Sequence, residues 1–238
     1  MGVKGKFWRI LNDFYRKANI TIRIKGNFGR ASYHCANHGY MGGRKKLIYS
    51  NIKKAFPNIN ENDLKKIYTS MWNNYGRVFA EYIFIKKFRK GRLSNNIVIE
   101  GAEILENIKR NKHRVIFISG HFSNFELMAM QIEKMGIKVA AIYRPLNNIF
   151  LNKFMERIRK KYICSNQIKK GIGGLKELIK LNNQGFSTAL MIDQRVSQGI
   201  KSNFFNEKAF TTTIPAQLVK KFDMPIVPVS YTHLTLPT

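Results

Sequence analysis

The sequence predicts an α/β fold with a largely parallel central sheet flanked by helices, behind a helical N-terminal lead. Three observations carry this. Short apolar runs such as VIFIS (115–119) and IVPV (226–229) alternate with amphipathic stretches of about ten residues, the pattern of βα units. Gly and Pro stand where those stretches should stop, as at Gly136, Pro145 and Gly185. No internal repeat and no long linker interrupts the pattern, so residues 45–238 read as one domain and residues 1–44 as a lead. With 44% hydrophobic and 12% aromatic residues the chain can build one sizeable core.

Residues 3–18 place Phe7, Leu11, Phe14, Tyr15 and Ala18 on one helical stripe, with Lys4, Lys6, Arg9, Arg16 and Lys17 largely outside it. Such a basic amphipathic helix can lie in a membrane interface or pack on the domain core. Residues 25–44 are glycine-rich and read as a loop. His34, Cys35 and His38 sit there, but no second pair of ligands stands nearby to complete a metal site. From Lys45 to Phe88 the pattern is helical. Pro57 breaks it, and Asn60 with Asp63 starts a new helix before Leu64. NIVIEG (96–101) reads as a strand, followed by the helix AEILENIKRNK and the buried strand VIFIS. Then come the helix FELMAMQIEKM, the strand KVAAIY, the helix FLNKFMERIRKKY and the helix LKELIKLNNQ. FSTALMIDQ is a strand, IPAQLVKKFD a helix and MPIVPVS a strand.

Charge is the strongest compositional signal. The 42 Lys+Arg against 14 Asp+Glu give a formal +28. Such a chain repels itself and is drawn to nucleic acid, an anionic membrane surface or an acidic protein. A Lys, Asn and Ile composition bias is the alternative source. Two cysteines, Cys35 and Cys164, make no disulfide framework, so a reducing compartment is expected. The apolar runs fall short of the roughly 18 residues a membrane-spanning helix needs, and no signal peptide or myristoylation motif is visible. The terminal SYTHLTLPT contains no Lys, Asn or Ile and follows what should be an interior strand. A truncated or artificial C-terminus is expected from this.

The stretch SGHFSNFEL (119–127) holds the chemistry. A strand ends at Ser119, so Gly120 and His121 fall where α/β folds bind ligands. A histidine there can act as a general base, given a carboxylate to fix its tautomer. Glu126 is the candidate. On one continuous helix the pair would stand ~140° apart, so His121 must precede the helix. The competing reading is a capping box, with Ser123 and Glu126 exchanging bonds at a helix start. No G-x-S-x-G elbow is present, and KKGIGGLKE matches neither a P-loop nor a dinucleotide fingerprint. Direct transfer to a substrate hydroxyl is the simplest chemistry.

SGHFSNFEL closely resembles the SGHFGNWEL block of the bacterial lipid A biosynthesis (lauroyl/myristoyl) acyltransferases. Three further stretches resemble that family in order and at similar spacing: NIKKAFPNINENDLKKIYTSMWNNYGRVFAEY, AAIYRPLNN and ALMIDQRVSQGIKSNFFNEKAFTTTIPAQL. The resemblance runs from about Lys45 to Val229. It implies a glycerolipid acyltransferase-like fold, with His121 as base and Glu126 as its partner. Arg144, Asp193 and Asn124 match family positions that imply substrate binding, Arg144 near phosphate or the oxyanion. The implied donor is an acyl carrier protein thioester and the acceptor a phosphorylated glycolipid. No metal or organic cofactor is implied, and no nucleic acid is expected. The implied place is the cytoplasmic face of the bacterial inner membrane. Three departures stand out: no N-terminal transmembrane anchor, Phe204-Phe205-Asn206 where the family has Phe-Phe-Gly, and no family sequence after Val229. Alternatives are another glycolipid acceptor, such as a phosphatidylinositol mannoside, or a basic nucleic-acid-binding protein supported by charge alone.

Overall fold

The computed structural model describes residues 20–25, 30–35, 39–40, 45–146, 148–194, 196, 199–205 and 207–230. The helix expected over residues 3–18 lies outside the described residues, as do residues 231–238 of the terminal segment. The chain divides into two compact units, residues 1–84 with 203–208, and residues 85–202 with 209–238.

In the first unit, strands β1 (Ile20–Lys25), β2 (Arg30–Cys35) and β3 (Gly39–Tyr40) form an antiparallel sheet. β1 pairs with β2 in full register, Ile20 opposite Cys35 and Lys25 opposite Arg30. This corrects the reading of residues 25–44 as loop. β2 and β3 fall inside that stretch, between the glycines that read as turn signals. Helices α1 (Lys45–Ala55) and α2 (Glu61–Tyr82) break where Pro57 and Asn60 predict. The Asn60 side chain caps α2 by accepting from the Asp63 amide at 2.9 Å. Leu64, one turn in, is fully buried.

The second unit opens with α3 (Ile85–Lys90), a 3₁₀ turn (Arg92–Asn96) and α4 (Ala102–Arg110). The strand expected at 96–101 does not form. Val98 is exposed, and Gly101 at φ 77° turns the chain directly into α4. Without a neighbouring strand to accept its backbone groups, a short apolar run stays irregular.

Next come β4 (Ile116–Ser119), α5 (Glu126–Lys134), β5 (Val139–Tyr143) and α6 (Ile149–Tyr162). They are followed by β6 (Asn166–Lys169), α7 (Ile172–Asn183) and β7 (Ser187–Met191). Then come the paired strands β8 (Ile200–Phe204) and β9 (Glu207–Thr211), of which residues 203–208 count with the first unit, and α8 (Ile214–Phe222) and β10 (Ile226–Pro228) complete the second.

The five-stranded sheet has the order β10-β4-β7-β5-β6, and every pairing in it is parallel. The expected α/β architecture with a parallel sheet between helices is therefore what the chain adopts. Ile116, Ala140, Ile168 and Leu190 from four strands pack with Leu178 of α7 and Leu218 of α8, so these two helices share one face. Each buried Ile or Leu of this set contributes about 1.5–3 kcal/mol of transfer free energy. Right-handed crossovers place α5 and α6 on the other face, because the chain steps across the sheet in the opposite direction there.

Candidate active site

β4 and β7 lie side by side, with Ile116 opposite Thr188 and Ser119 opposite Met191. The chain after β4 leaves to the α5 face, and the chain after β7 returns through α8 on the other face. The carboxyl ends of these two strands therefore bound the crevice in which doubly wound sheets hold their ligands.

Extending the register two positions beyond Ser119 and Met191 sets His121 opposite Asp193. The ladder continues, with the Ile192 amide donating to the Ser119 carbonyl at 2.9 Å. Then a side chain replaces the next backbone acceptor. The His121 amide donates to Asp193 Oδ2 at 2.7 Å, and His121 Nδ1 meets Asp193 Oδ1 at 2.8 Å. One carboxylate thus fixes both the backbone and the ring of His121. An ionised carboxylate only accepts, so Nδ1 carries the proton and Nε2 presents its lone pair. The Gln194 side-chain amide stands 3.2 Å from Nε2 and donates to it in this tautomer. Phe125 meets the imidazole edge-on, with ring centroids 4.6 Å apart. His121 and Asp193 keep 31% and 38% of their side-chain surface exposed, so a substrate can reach them. Gly120 leaves room for this geometry, since any larger residue would push the exposed Phe122 side chain aside. A Cβ there would stand 2.9 Å from the Phe122 ring and 3.2 Å from Asp193 Oδ2.

Glu126 takes another position. It is the first residue of α5, is buried, and accepts from Arg159 Nε at 2.8 Å. This ion pair ties α5 to α6. Spacing had assigned Glu126 to the histidine, yet the carboxylate on Nδ1 is that of Asp193. The physical reason is that sheet register, not local spacing, sets the partner. The capping box does not form either. Ser123 has φ 43°, and the N-cap position falls to Phe125, with no side-chain bond. Asn124 is fully buried, and its carbonyl accepts from the Leu127 amide. Arg144 follows β5 at the same edge of the sheet and is exposed. Among the described residues it forms no hydrogen bond or ion pair.

Gln194 and Arg159 were not singled out from sequence. Gln194 follows Asp193 directly. Arg159 sits at i+7 from Asn152 and i+4 from Met155, an arginine on the inward stripe of a helix, which is the available signal. Its guanidinium also lies over the Tyr143 ring, 5.6 Å from the centroid. Tyr143 donates to Glu156; burial first, then that bond, hold its phenol above the ordinary range. Glu156 also accepts from Asn152 at 2.8 Å. Cys164 is fully buried, and burial pushes its thiol up to about 12, so it is no nucleophile at neutral pH.

Among the described residues no helix is long and apolar enough to cross a membrane. The sequence profile of a family described as bacterial lipid A biosynthesis acyltransferase matches residues 28–233. The chain belongs to that family. The resemblance read from the sequence blocks is thereby borne out. The chain is 23% identical over 172 residues to the lipid A biosynthesis myristoyltransferase of Escherichia coli K12, covering 72% of the chain and 49% of that protein. It is 28% identical over 109 residues to lipid A biosynthesis acyltransferase 2 of Shigella flexneri, covering 46% and 32%. Against the lipid A biosynthesis lauroyltransferase of E. coli K12 it is 23% identical over 111 residues, covering 46% and 35%. The chain thus spans about half the length, or less, of the curated relatives it matches. In this lipid A acyltransferase-family chain, the SGHFSNFEL block supplies His121 and the MIDQ block supplies Asp193 and Gln194, and β4–β7 pairing brings the two blocks together.

Proposed function

We propose that the protein transfers a fatty acyl chain to a hydroxyl of a lipid A precursor, with His121 as general base and Asp193 orienting it. The observation that carries this is the Asp193 carboxylate on His121 Nδ1, which leaves Nε2 basic at an open strand end. The acceptor hydroxyl takes the place of the Gln194 amide at Nε2 and gives up its proton there. The alkoxide oxygen attacks the carbonyl carbon of the donor, an acyl carrier protein thioester. The tetrahedral intermediate collapses, the C–S bond breaks, and the leaving thiolate takes the proton back from Nε2. Asp193 favours the imidazolium formed between the two steps. Arg144, exposed at the same sheet edge, supplies positive charge for the oxyanion or for an acceptor phosphate. Glu126 serves the reaction indirectly: its bond to Arg159 fixes the start of α5, just after the turn that carries His121. Asn124, buried in that turn, shapes it. The +28 charge fits an acidic donor protein, a phosphorylated acceptor and the anionic cytoplasmic face of the inner membrane.

The test is an acyl transfer assay with a panel of acyl carrier protein thioesters and phosphorylated glycolipid acceptors. Transfer is expected with the unaltered protein. His121→Ala should lower the rate by about 10²–10⁴ while the protein still folds. A His121→Ala variant within a few-fold of the parent would sink this mechanism.

A further inference from the structure

We propose that the outer face of α6 is the docking surface for an acidic helical protein, the carrier that presents the acyl donor to His121. The proposal rests on the acyl-transfer reading above and adds where that partner binds. α6 has two contrasting faces. Asn152, Met155, Glu156 and Arg159, at i, i+3, i+4 and i+7, face inward: Met155 is buried, Arg159 holds Glu126, and Asn152 and Glu156 bond each other. Lys153, Arg157, Lys160 and Lys161 are all exposed and fall within an arc of about 100° on the opposite side. They line a shallow groove together with the edge of Glu156.

None of these four cations has an acidic partner among the described residues. The carboxylate nearest them, Glu156, is already engaged by Tyr143, Asn152 and Lys169. Lys153, Arg157 and Lys161 follow one another at i, i+4, where like charges destabilise a helix. The free protein carries that repulsion, and a row of carboxylates would relieve it. The stripe rises about 12 Å from Lys153 to Lys161, two turns of helix, and an acidic helix presents carboxylates at the same pitch.

An acidic protein fits this face better than a lipid bilayer. Between Lys153 and Lys161 no apolar side chain is exposed: Phe154 and Ile158 are half-buried and Met155 is buried. There is nothing along the stripe to enter hydrocarbon. The exposed apolar pair, Ile149 at 67% and Phe150 at 83%, stands at the beginning of the helix instead. α6 begins at the carboxyl edge of the sheet, the edge that holds His121 and Asp193. A partner lying along the cations therefore ends at an apolar contact on the sheet edge that carries the reaction centre, where a tethered acyl thioester has to arrive.

The experiment uses Lys153→Glu/Arg157→Glu/Lys160→Glu, three exposed positions outside the catalytic machinery. Three arms are measured against the parent: affinity for acyl carrier protein at low and high salt, binding to phosphatidylglycerol-containing vesicles, and transfer from the carrier thioester and from an acyl-pantetheine. The expected result is a carrier affinity lower by roughly tenfold or more and a weaker salt dependence. KM for the carrier thioester should rise while kcat with acyl-pantetheine and vesicle binding stay unchanged. Unchanged carrier affinity overturns the proposal. So does loss of vesicle binding with carrier binding intact, which would make the stripe a lipid surface. A parent protein that transfers from acyl-pantetheine but does not bind the carrier also overturns it. If the parent binds the carrier through α6 yet transfers from neither donor, the acyl-transfer reading fails and the docking surface stands.

Discussion

One exposed and one buried carboxylate close in space to one histidine invite confusion, and substitution separates them. Asp193 holds the His121 ring through Nδ1, so Asp193→Asn leaves a group that can donate there and favours the wrong tautomer. Its rate should fall by about 10²–10⁴ with little change in unfolding free energy. Glu126→Gln acts in the opposite sense. It removes the negative charge from the sheltered Glu126–Arg159 ion pair, and breaking a buried pair typically costs about 3–5 kcal/mol. The reading is a pair of denaturant melts alongside a pair of transfer rates. A Glu126→Gln protein that keeps its stability and loses only its rate would restore Glu126 as the catalytic partner. The histidine itself was legible because an apolar run ending in Ser119-Gly120 marks a strand end. Its partner was not, because residues 121 and 193 meet only through the β4–β7 register, which no local pattern in either block encodes. The family resemblance brought Asp193 into the candidate set without saying what it touches.

At the scale of elements, close backbone approaches and charged pins decide stability. Gly174, in the first turn of α7, packs on the end of β6: a Cβ there would fall 1.7 Å from the Lys169 carbonyl oxygen. Gly173, beside it, has open space. Gly174→Ala should therefore destabilise by about 1–3 kcal/mol or more through forced backbone movement. Gly173→Ala should instead stabilise by up to about 1 kcal/mol through helix propensity. Urea midpoints for both variants check the pair, and equal shifts would refute the close approach. Glu133 of α5 is a second pin. It accepts from the Ser165 amide at 2.7 Å and pairs with Arg89 of α3 at 2.7 Å. Burial pushes its carboxyl up, but the Ser165 and Arg89 contacts together outweigh burial and hold it below the usual carboxylate range. A depressed folded value contributes stability at pH values above the unfolded one. That contribution is lost as pH falls through the folded one. Glu133→Gln should thus flatten the acid limb of the stability curve, and parallel curves for parent and variant from pH 7 to pH 3 would count against the pin. Helices α1, α2 and α4–α8 were readable from apolar period and breakers. β6 was not, because NQIK is an edge strand with one paired neighbour and tolerates polar residues.

For the whole molecule, net charge is the term that contacts do not balance. A formal +28 on 238 residues means that cations outnumber the carboxylates that could pair with them, and the repulsion among them acts within a Debye length, about 10 Å at 0.1 M salt. Among the described residues the attractive pairs are few by comparison. Those such as Lys53–Glu61, Lys54–Glu207 and Lys66–Asp63 are exposed at both ends, and such pairs contribute about 0–1 kcal/mol each. The sheltered pairs Glu126–Arg159 and Arg89–Glu133 are screened less, so salt barely weakens them. Adding salt therefore removes more repulsion than attraction, and the protein should become more stable, against the usual expectation for a fold rich in ion pairs. This balance was legible from composition, whereas the placement of unpaired cations on one face of α6 needed the fold. The check is thermal unfolding in sodium chloride and sodium fluoride at low and moderate concentration. Tm should rise with ionic strength, and by similar amounts in both salts, as screening requires. A Tm that falls would mean the ion pairs outweigh the self-repulsion. A rise confined to one of the two salts would assign the stabilisation to a bound anion rather than to the field of the whole chain.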